Sequence, residues 1–369
     1  MKKVVYRLQD LALTIRTNRV QSTALFCHNL TIMSDPQSEF FVTVPSEMSG
    51  ERLDKAVSTL LNQHSRASIQ QWLKNGMILV DGEKCKQKQR LIGGETLQIT
   101  IPEPEPADWP AQDLSLDIVY QDDQLIVINK PPGMVVHPGA GNPDQTLLNG
   151  LLFVDPGLDV LPRAGIVHRI DKDTSGLLVV ARTEAARTHL INQLQDHSMH
   201  RVYLAVANGV MVAGETIDQP IGRHRQDRIK MAVTHAGKPA ITHLRIMCKF
   251  RRHCLVRANL ETGRTHQIRV HLSWRGYPLV GDPTYGGRLR LPDNPSPSLT
   301  QTLNNFRRQA LHAFSLSLTH PKTGEPMTWT QPIPKDMIKL TNELAADAGI
   351  QNPIMENGLA RIFHEGGPV

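Results

Sequence analysis

The segment Gly165-Ile-Val-His-Arg-Ile-Asp-Lys-Asp-Thr-Ser-Gly-Leu-Leu-Val-Val-Ala181 joins a polar loop directly to an apolar run. Residues 177–181 are apolar and partly β-branched, which is typical of a buried strand. The loop before them carries Asp171 between Arg169 and Lys172. A carboxylate between two cations is a candidate nucleophile or general base, and the alternative interpretation is a turn in which the aspartate caps its own backbone. Either way, the loop is expected at the end of a strand.

Strand-like runs recur on both sides of this segment, and few helical patterns separate them. Further strands are predicted at 116–120, 125–129, 201–207, 240–247 and 254–260, and the clearest helices at 184–196 and 335–347. Because strands often follow strands without a helical crossover, the pattern favours an α+β fold over a doubly wound one. We expect a large mixed or antiparallel sheet flanked by helices.

Residues 50–101 have a different pattern, that of a small module with two helices and short strands. Apolar residues recur at helical spacing over 53–61 and again over 69–73. Gly76 is placed to end the second helix, and Asp81-Gly82 is typical of a turn between two strands. The sequence therefore predicts a compact helix–helix–strands unit.

The proline-rich segment 102–113 marks the boundary of this module. It has four prolines in nine positions and is expected to be extended and semi-rigid. The first 32 residues fit nothing downstream, so we interpret them as a disordered extension or as the result of a start codon placed before Met33. The predicted division is an extension over 1–37, a small module over 38–104 with its core at 50–101, a linker over 105–115, a large domain over 116–340 and a tail over 341–369.

Composition and missing motifs exclude several classes of protein. The chain has 369 residues, 40% of them hydrophobic, and no run of 18 apolar residues, so a membrane span is not expected. Its four cysteines form no C-x-x-C pair, which argues against a disulfide framework or a zinc site and favours a cytoplasmic protein. The chain also lacks a phosphate-binding loop, a complete dinucleotide fingerprint and an H-E-x-x-H pair. We expect neither a cofactor nor a metal.

Positive charge is concentrated in one part of the chain. The net charge is only +6, but residues 200–275 contain 14 Lys and Arg against four acidic residues. Such a block is typical of a protein that binds a polyanion. The alternative interpretation is a solvated basic face.

Two further patterns lie in the basic block. In residues 260–272, apolar residues alternate with Gln267, Arg269 and His271 after a glycine turn, which predicts a strand or sheet edge whose cations contact phosphate. The alternative is a solvated basic strand. Tyr203 lies near basic residues on a predicted strand and could stack on a base, although most strand tyrosines simply pack.

These segments resemble the RluA-type pseudouridine synthases, and the N-terminal module is similar to the S4 RNA-binding domain. The resemblance covers roughly residues 38–340. It is carried by His168-Arg-Ile-Asp171 with Thr174-Ser-Gly176, by 129–138, by Arg201-Val-Tyr203 and by 262–271, and in the S4-like module by Arg52-Leu-Asp54 and Ser65-Arg66 ahead of Gly76.

The resemblance implies isomerisation of uridine to pseudouridine in structured RNA, without cofactor or metal. Asp171 would be the nucleophile that helps to detach the uracil, Arg264 would pair with Asp171, and Tyr203 would stack on the base and could move a proton. Arg169 would fill the stack vacated by the flipped nucleotide, and Ile268 would pack against the base. Each step is an expectation for this chain.

The resemblance also implies where RNA would bind. Stretches 136–142 and 281–287 point to family members that act on large-subunit (23S) ribosomal RNA or its precursor, with the helix 69 stem-loop as the implied target. The residues that we expect to contact RNA are His266 and Arg269 in the large domain, with Arg52, Arg66 and Lys74 in the S4-like module. Three alternatives remain open at this point, namely another ribosomal site, a transfer RNA, or an RNA-binding assembly factor with secondary catalysis. A monomer is expected.

Overall fold

The computed structural model describes residues 39–61, 66–101, 109–139, 141–227 and 230–350, together with four short segments before residue 34. The chain divides into two compact units, residues 1–107 and residues 108–369. The division falls in the proline-rich segment.

Four short strands precede the small module. They are β1 (Lys3–Tyr6), β2 (Ile15–Thr17), β3 (Val20–Ser22) and β4 (Leu30–Met33), with β1 antiparallel to β4 and β2 antiparallel to β3. In these segments the chain pairs as strands, and the interpretation of residues 1–37 as an extension stays a prediction. The remainder of the predicted extension lies outside the described residues.

The small module has two helices and a four-stranded antiparallel sheet. Its elements are β5 (Glu39–Thr43), α1 (Leu53–Leu60), α2 (Arg66–Asn75), β6 (Ile78–Val80), β7 (Glu83–Lys84) and β8 (Thr96–Thr100), and the strand order is β5-β8-β6-β7. The apolar faces of both helices are buried in one core, as the helical spacing predicts. Asp81 and Gly82 both take left-handed φ angles of 49° and 81° in the turn between β6 and β7.

The large unit is built around one long sheet. Its helices are α3 (Leu147–Val154), α4 (Glu184–Gln195), α5 (Gln267–Trp274), α6 (Pro297–Asn305) and α7 (Lys335–Asp347). Its strands are β9 (Ile118–Gln121), β10 (Leu125–Lys130), β11 (Ser175–Ala181), β12 (His200–Asn208), β13 (Glu215–Asp218), β14 (Ile221–Arg223), β15 (Met231–Val233), β16 (Ile241–Lys249), β17 (His253–Leu260), β18 (Leu311–Thr319) and β19 (Pro326–Thr330).

Nine of these strands form a mixed sheet, which confirms the predicted α+β class. The order is β13-β16-β17-β12-β18-β11-β10-β9, with β19 also paired to β18, and the pair β14–β15 stands apart. All the pairings are antiparallel except that of β11 with β18. Along β12, Val202 and Leu204 pack in the core that contains α6 and α7, whereas Tyr203 and Ala205 pack in the core that contains α3 and α5. Because successive side chains of a strand point to opposite faces of the sheet, alternate residues of β12 are buried in two different cores.

The large unit extends beyond both of its predicted ends. Trp109 packs against the core, and the side-chain amide of Asn149 donates a hydrogen bond to the Pro110 carbonyl at 2.9 Å. At the other end, Leu344 and Ala345 are buried on α7. The predicted boundaries at 115 and 340 therefore lie inside the folded unit.

Membrane-spanning helices and metal-binding clusters are both absent from the described ranges. No helix there is both long and apolar enough to cross a membrane. No group of three or more His, Cys, Asp or Glu side chains in those ranges is placed to hold a metal ion.

Lowering the pH from 7 to 5 is expected to destabilise the large unit through its buried histidines. Burial lowers the pKa of His253 and of His312 to about 4, so both are neutral in the folded state. In the unfolded chain each takes up a proton below about pH 6.5, and each costs up to about 1.4 kcal/mol per pH unit between about 6.5 and 4. Urea unfolding followed by tryptophan fluorescence at both pH values measures the loss.

A matched pair of variants tests the cause. His312→Gln removes one of the buried groups and should flatten the pH dependence, whereas His235 is exposed and His235→Gln serves as the control. Equal pH dependence in His312→Gln and the wild type would contradict the explanation.

Candidate active site

Asp171 lies in a loop that several buried groups hold in place. The N–H of Thr174 donates to the Asp171 carbonyl at 3.1 Å and closes a tight turn before β11. The fully buried ammonium of Lys130 donates to the carbonyl oxygens of Pro131, Met134 and Lys172 at 2.7, 3.0 and 2.9 Å. Burial lowers the pKa of Lys130 to about 7, and the three carbonyl oxygens favour its protonated form. One buried side chain therefore fixes the loop through the neighbour of Asp171.

Gly176 is required by the sheet that receives this loop. Its φ of +110° is one that side chains rarely adopt, and a Cβ there would lie 2.2 Å from the Ala313 carbonyl oxygen of β18. The close approach belongs to the parallel pairing of β11 with β18. Glycine at this position therefore allows β11, which follows the Asp171 loop, to pair closely with β18.

Arg269 connects Asp171 to a second carboxylate. Its Nη1 donates to Asp171 at 3.0 Å, and its Nε and Nη2 donate to the two oxygens of Asp282 at 2.7 and 2.9 Å. The side chains of Arg269 and Asp282 are 5% and 0% exposed, so this bidentate pair is shielded from solvent. Burial opposes the charge of Arg269, but hydrogen bonds and charge from Asp282 and Asp171 raise its pKa above the usual value.

This arrangement corrects two predicted roles. The predicted pairing of Arg264 with Asp171 is wrong: the Nε of Arg264 donates to the Pro239 carbonyl at 2.9 Å, and Arg269 takes the place beside Asp171. The predicted contact of Arg269 with RNA is also wrong, because Arg269 is only 4% exposed and its donors are occupied by carboxylates.

The cause of both errors is that residues 267–274 form helix α5 instead of the predicted strand. The Gln267 side chain accepts hydrogen bonds from the Arg264 N–H at 3.0 Å and the Thr262 hydroxyl at 2.7 Å, and His266 takes a left-handed φ of 58° at the start of the helix. All residues from Gln267 to Leu272 are buried, so no solvent-facing side of α5 reveals the helical period.

His266 also faces Asp171, in an orientation that Tyr285 fixes. The Tyr285 oxygen accepts the Met231 N–H at 2.9 Å and forms a hydrogen bond of 2.9 Å with the His266 Nδ1. The His266 Nε2 lies 3.9 Å from an oxygen of Asp171. Burial lowers the pKa of His266, which favours its neutral form.

All seven predicted site residues of the large domain line one cavity of about 610 Å³. Its walls include Asp171, Tyr203, Arg264, Arg169, His266, Ile268 and Arg269. Tyr203 is buried on β12, and burial raises the pKa of its phenol. Arg169 is exposed and Asp171 remains 16% exposed, so the carboxylate can be reached from the cavity.

The residues predicted to bind RNA in the small module lie in the other unit. Arg52 is held by two hydrogen bonds of 3.0 Å to the buried carboxylate of Asp54. Lys74 is exposed in the last turn of α2. Arg66 begins α2, and its side chain lies outside the described residues. The proposed contacts of these residues with RNA stay predictions.

The sequence interpretation missed two residues of the site, Asp282 and Tyr285. Both belong to Gly281-Asp-Pro-Thr-Tyr-Gly-Gly287, a stretch that carries part of the resemblance but to which no role was given. A buried carboxylate such as Asp282 needs a cationic partner, so its presence in this stretch indicates that a buried arginine or lysine lies beside it. The sequence alone does not tell which of the 41 Lys and Arg is that partner.

Sequence comparisons agree with this combination of a small RNA-binding module and a site built around one reachable carboxylate. Residues 124–274 match the RNA pseudouridylate synthase family, and residues 51–97 match the S4 domain. The chain belongs to the RNA pseudouridylate synthase family, and it is an enzyme that isomerises uridine in RNA.

Individual relatives are similar over nearly their whole length. The chain is 51% identical to ribosomal large subunit pseudouridine synthase D of Pseudomonas aeruginosa over 304 residues, which is 82% of this chain and 95% of that relative. It is 50% identical to the protein of the same name from Vibrio vulnificus over 313 residues, or 85% of this chain and 96% of the relative. The solved structure of human RNA pseudouridylate synthase domain containing 1 matches with a TM-score of 0.50 and 25% identity, over 70% of this chain and 99% of that one.

Proposed function

We propose that this enzyme converts specific uridines of large-subunit ribosomal RNA to pseudouridine, with the helix 69 stem-loop as its target. Support for the RNA comes from the two relatives at 50% identity or more, both named as large-subunit enzymes. The basic block of residues 200–275 suits a polyanionic substrate. The bound RNA is read by the S4 domain and modified in the cavity of the large unit.

Base flipping delivers the uridine to Asp171. The carboxylate is 16% exposed at the wall of a cavity, where the glycosidic bond of a stacked nucleotide cannot reach it. Extruding the nucleotide costs a few kcal/mol, about what a few phosphate contacts supply. The exposed Arg169 lies on the same cavity and takes the space that the base leaves in the stem.

Asp171 then acts as the nucleophile. One of its oxygens is held by Arg269 and the other faces His266, so the carboxylate is oriented before the substrate arrives. The N1–C1′ bond breaks as C1′ takes a carboxylate oxygen, and the base turns on Tyr203. A C5–C1′ bond replaces the bond to Asp171, the C5 hydrogen leaves as a proton to solvent, and N1 takes up a proton in its place. The placement of Asp171 beside both Arg269 and Tyr203 in one cavity is the observation that carries this proposal.

Tritium release from C5-labelled uridine RNA tests the proposed function. With no added cofactor, the wild-type enzyme should release tritium from large-subunit RNA and from an isolated helix 69 stem-loop. Transfer RNA and a stem-loop from another ribosomal helix are the controls and should release at least about 100-fold less, since binding differences of about 3 kcal/mol give that ratio. Tritium release from transfer RNA alone would overturn the proposed substrate. If neither any of these RNAs nor the assembled large subunit releases tritium, the proposed function is overturned.

A further inference from the structure

Arg201 is a buried arginine whose charge no carboxylate of the described structure balances. It lies on β12 and is 8% exposed. Its Nη2 donates to the Glu261 carbonyl at 3.1 Å, and within the described residues its Nε has no hydrogen-bond partner. The Glu261 carboxylate lies 2.6 Å from the Nε2 of His243, so it is engaged elsewhere. Burial lowers the pKa of Arg201, which reflects the cost of holding this charge.

The fold makes room for this guanidinium. A Cβ on Gly263 would lie 2.8 Å from the Arg201 Nη1, and the φ of Gly263 is not in the left-handed region. Glycine at this position leaves the guanidinium its space, since a larger residue would require Arg201 to shift. Burying an unpaired charge is costly. A buried guanidinium without a carboxylate partner is therefore typical of a group that binds an anionic part of a ligand.

Arg201 faces the cavity that contains Asp171. It is one of the lining residues, and it lies two positions before Tyr203 on the same face of β12. The Tyr203 phenol interacts electrostatically with both the Arg201 cation, which lowers its pKa, and the Asp171 carboxylate, which raises it. His168 is also near Arg201, but its Nε2 accepts the Val179 N–H at 3.1 Å and burial lowers its pKa to about 3, so it is neutral and brings no second cation. A base stacked on Tyr203 would therefore share the cavity with the Asp171 carboxylate and with the Arg201 cation, which no carboxylate of the described residues offsets.

We infer that the Arg201 guanidinium binds the uracil of the target nucleotide and stabilises the anion formed when the glycosidic bond breaks. When the N1–C1′ bond breaks and C1′ takes the oxygen of Asp171, the electron pair stays on the base, and the negative charge spreads over N1, O2 and O4. A cation that is fixed in place and largely buried, as Arg201 is at 8% exposure, stabilises such a charge more than water does. The inference rests on the proposed function, because it assigns the charge partner of the same reaction.

The test compares Arg201→Met with Arg201→Lys in single-turnover tritium release at saturating enzyme, alongside the dissociation constant of the RNA. In Arg201→Met the rate should fall about 10²–10³-fold, as for loss of one oxyanion donor. The dissociation constant should change less than about threefold, and lysine should recover part of the rate. Arg257, a partly buried arginine on the adjacent β17 outside the cavity lining, supplies the control Arg257→Met.

The urea unfolding midpoint of the same variants distinguishes a ligand-binding arginine from a structural one. Removing an unbalanced buried charge should leave the midpoint of Arg201→Met unchanged or raise it, whereas losing a structural ion pair lowers it. A weaker dissociation constant with a salt slope reduced by about one and an unchanged saturated rate would show that Arg201 binds a phosphate, and would overturn the inference. An unchanged rate with unchanged binding would overturn it too. Because both results require an active wild type, they are distinct from failure of the proposed function, in which the wild type releases no tritium.

Discussion

Replacing Asp171 by asparagine should abolish pseudouridine formation, by about 10⁴-fold or more, while the enzyme still folds and binds RNA. The amide has nearly the shape of the carboxylate but is a far weaker nucleophile. Folding is spared because Arg269 keeps both hydrogen bonds to Asp282, so the variant leaves no unpaired buried charge. The asparagine oxygen can still accept the third donor of Arg269.

Single-turnover tritium release and filter binding measure the two halves of this prediction. Asp159→Asn is the matched control, since it makes the same chemical change at an exposed aspartate outside the cavity lining. It should keep a rate within about threefold of the wild type, as expected of a surface change. A rate above one-hundredth of the wild type in Asp171→Asn would remove Asp171 from the reaction.

Replacing Arg269 by alanine should cost both stability and activity. Arg269 is the shared partner of Asp171 and Asp282, and the Asp282 side chain is fully buried. Without the arginine two carboxylates face each other with no cation between them, and breaking such a buried pair costs about 3–5 kcal/mol. Arg264→Ala should change the free energy of unfolding by less than about 1 kcal/mol, because it removes one hydrogen bond to a carbonyl. Urea unfolding of the two variants compares them directly.

Arg269→Lys keeps the prediction testable if the alanine variant does not fold. A lysine retains the charge, but its single ammonium cannot reproduce the three hydrogen bonds that Arg269 makes to two carboxylates. We expect a folded protein whose single-turnover rate is at least about 10²-fold lower, because a misoriented reacting group costs that much. A wild-type rate in Arg269→Lys would show that the orientation of Asp171 does not depend on this contact.

The sequence predicts well two kinds of element, namely helices with one buried face, such as α7, and strands that are continuous apolar runs, such as β11. Helix α7 has the predicted bounds, and the six predicted strands of the large domain are present with ends shifted by a few residues. Helix α5 was mistaken for a strand because it is buried on all sides, and its alternating apolar residues imitate a strand. Periodicity reports the contrast between a buried and an exposed face, and this contrast is missing in α5.

The sequence predicts which residues belong to the site better than it predicts the contacts between them. Seven of the ten named residues line one cavity, but the partner of Asp171 was assigned to the wrong arginine of the same segment. Asp171 and Arg269 are 98 positions apart, and only the entry of α5 into the core determines which arginine reaches the carboxylate. In the sequence Arg201 is only part of the Arg201-Val-Tyr203 motif, and the lack of a carboxylate beside it is visible only in three dimensions.

The strand order of the large sheet also constrains how the enzyme is made. Strand β18 lies between β11, which follows Asp171, and β12, which carries Tyr203. During synthesis β12 is complete about 110 residues before β18 is, a delay of roughly 5–20 s at ribosomal speed. Until residue 319 has left the ribosome, the nascent chain has two unpaired strand edges and no assembled cavity. The cavity, whose lining includes Asp171, Tyr203 and Leu311 of β18, is therefore completed only after most of the large unit has been synthesised.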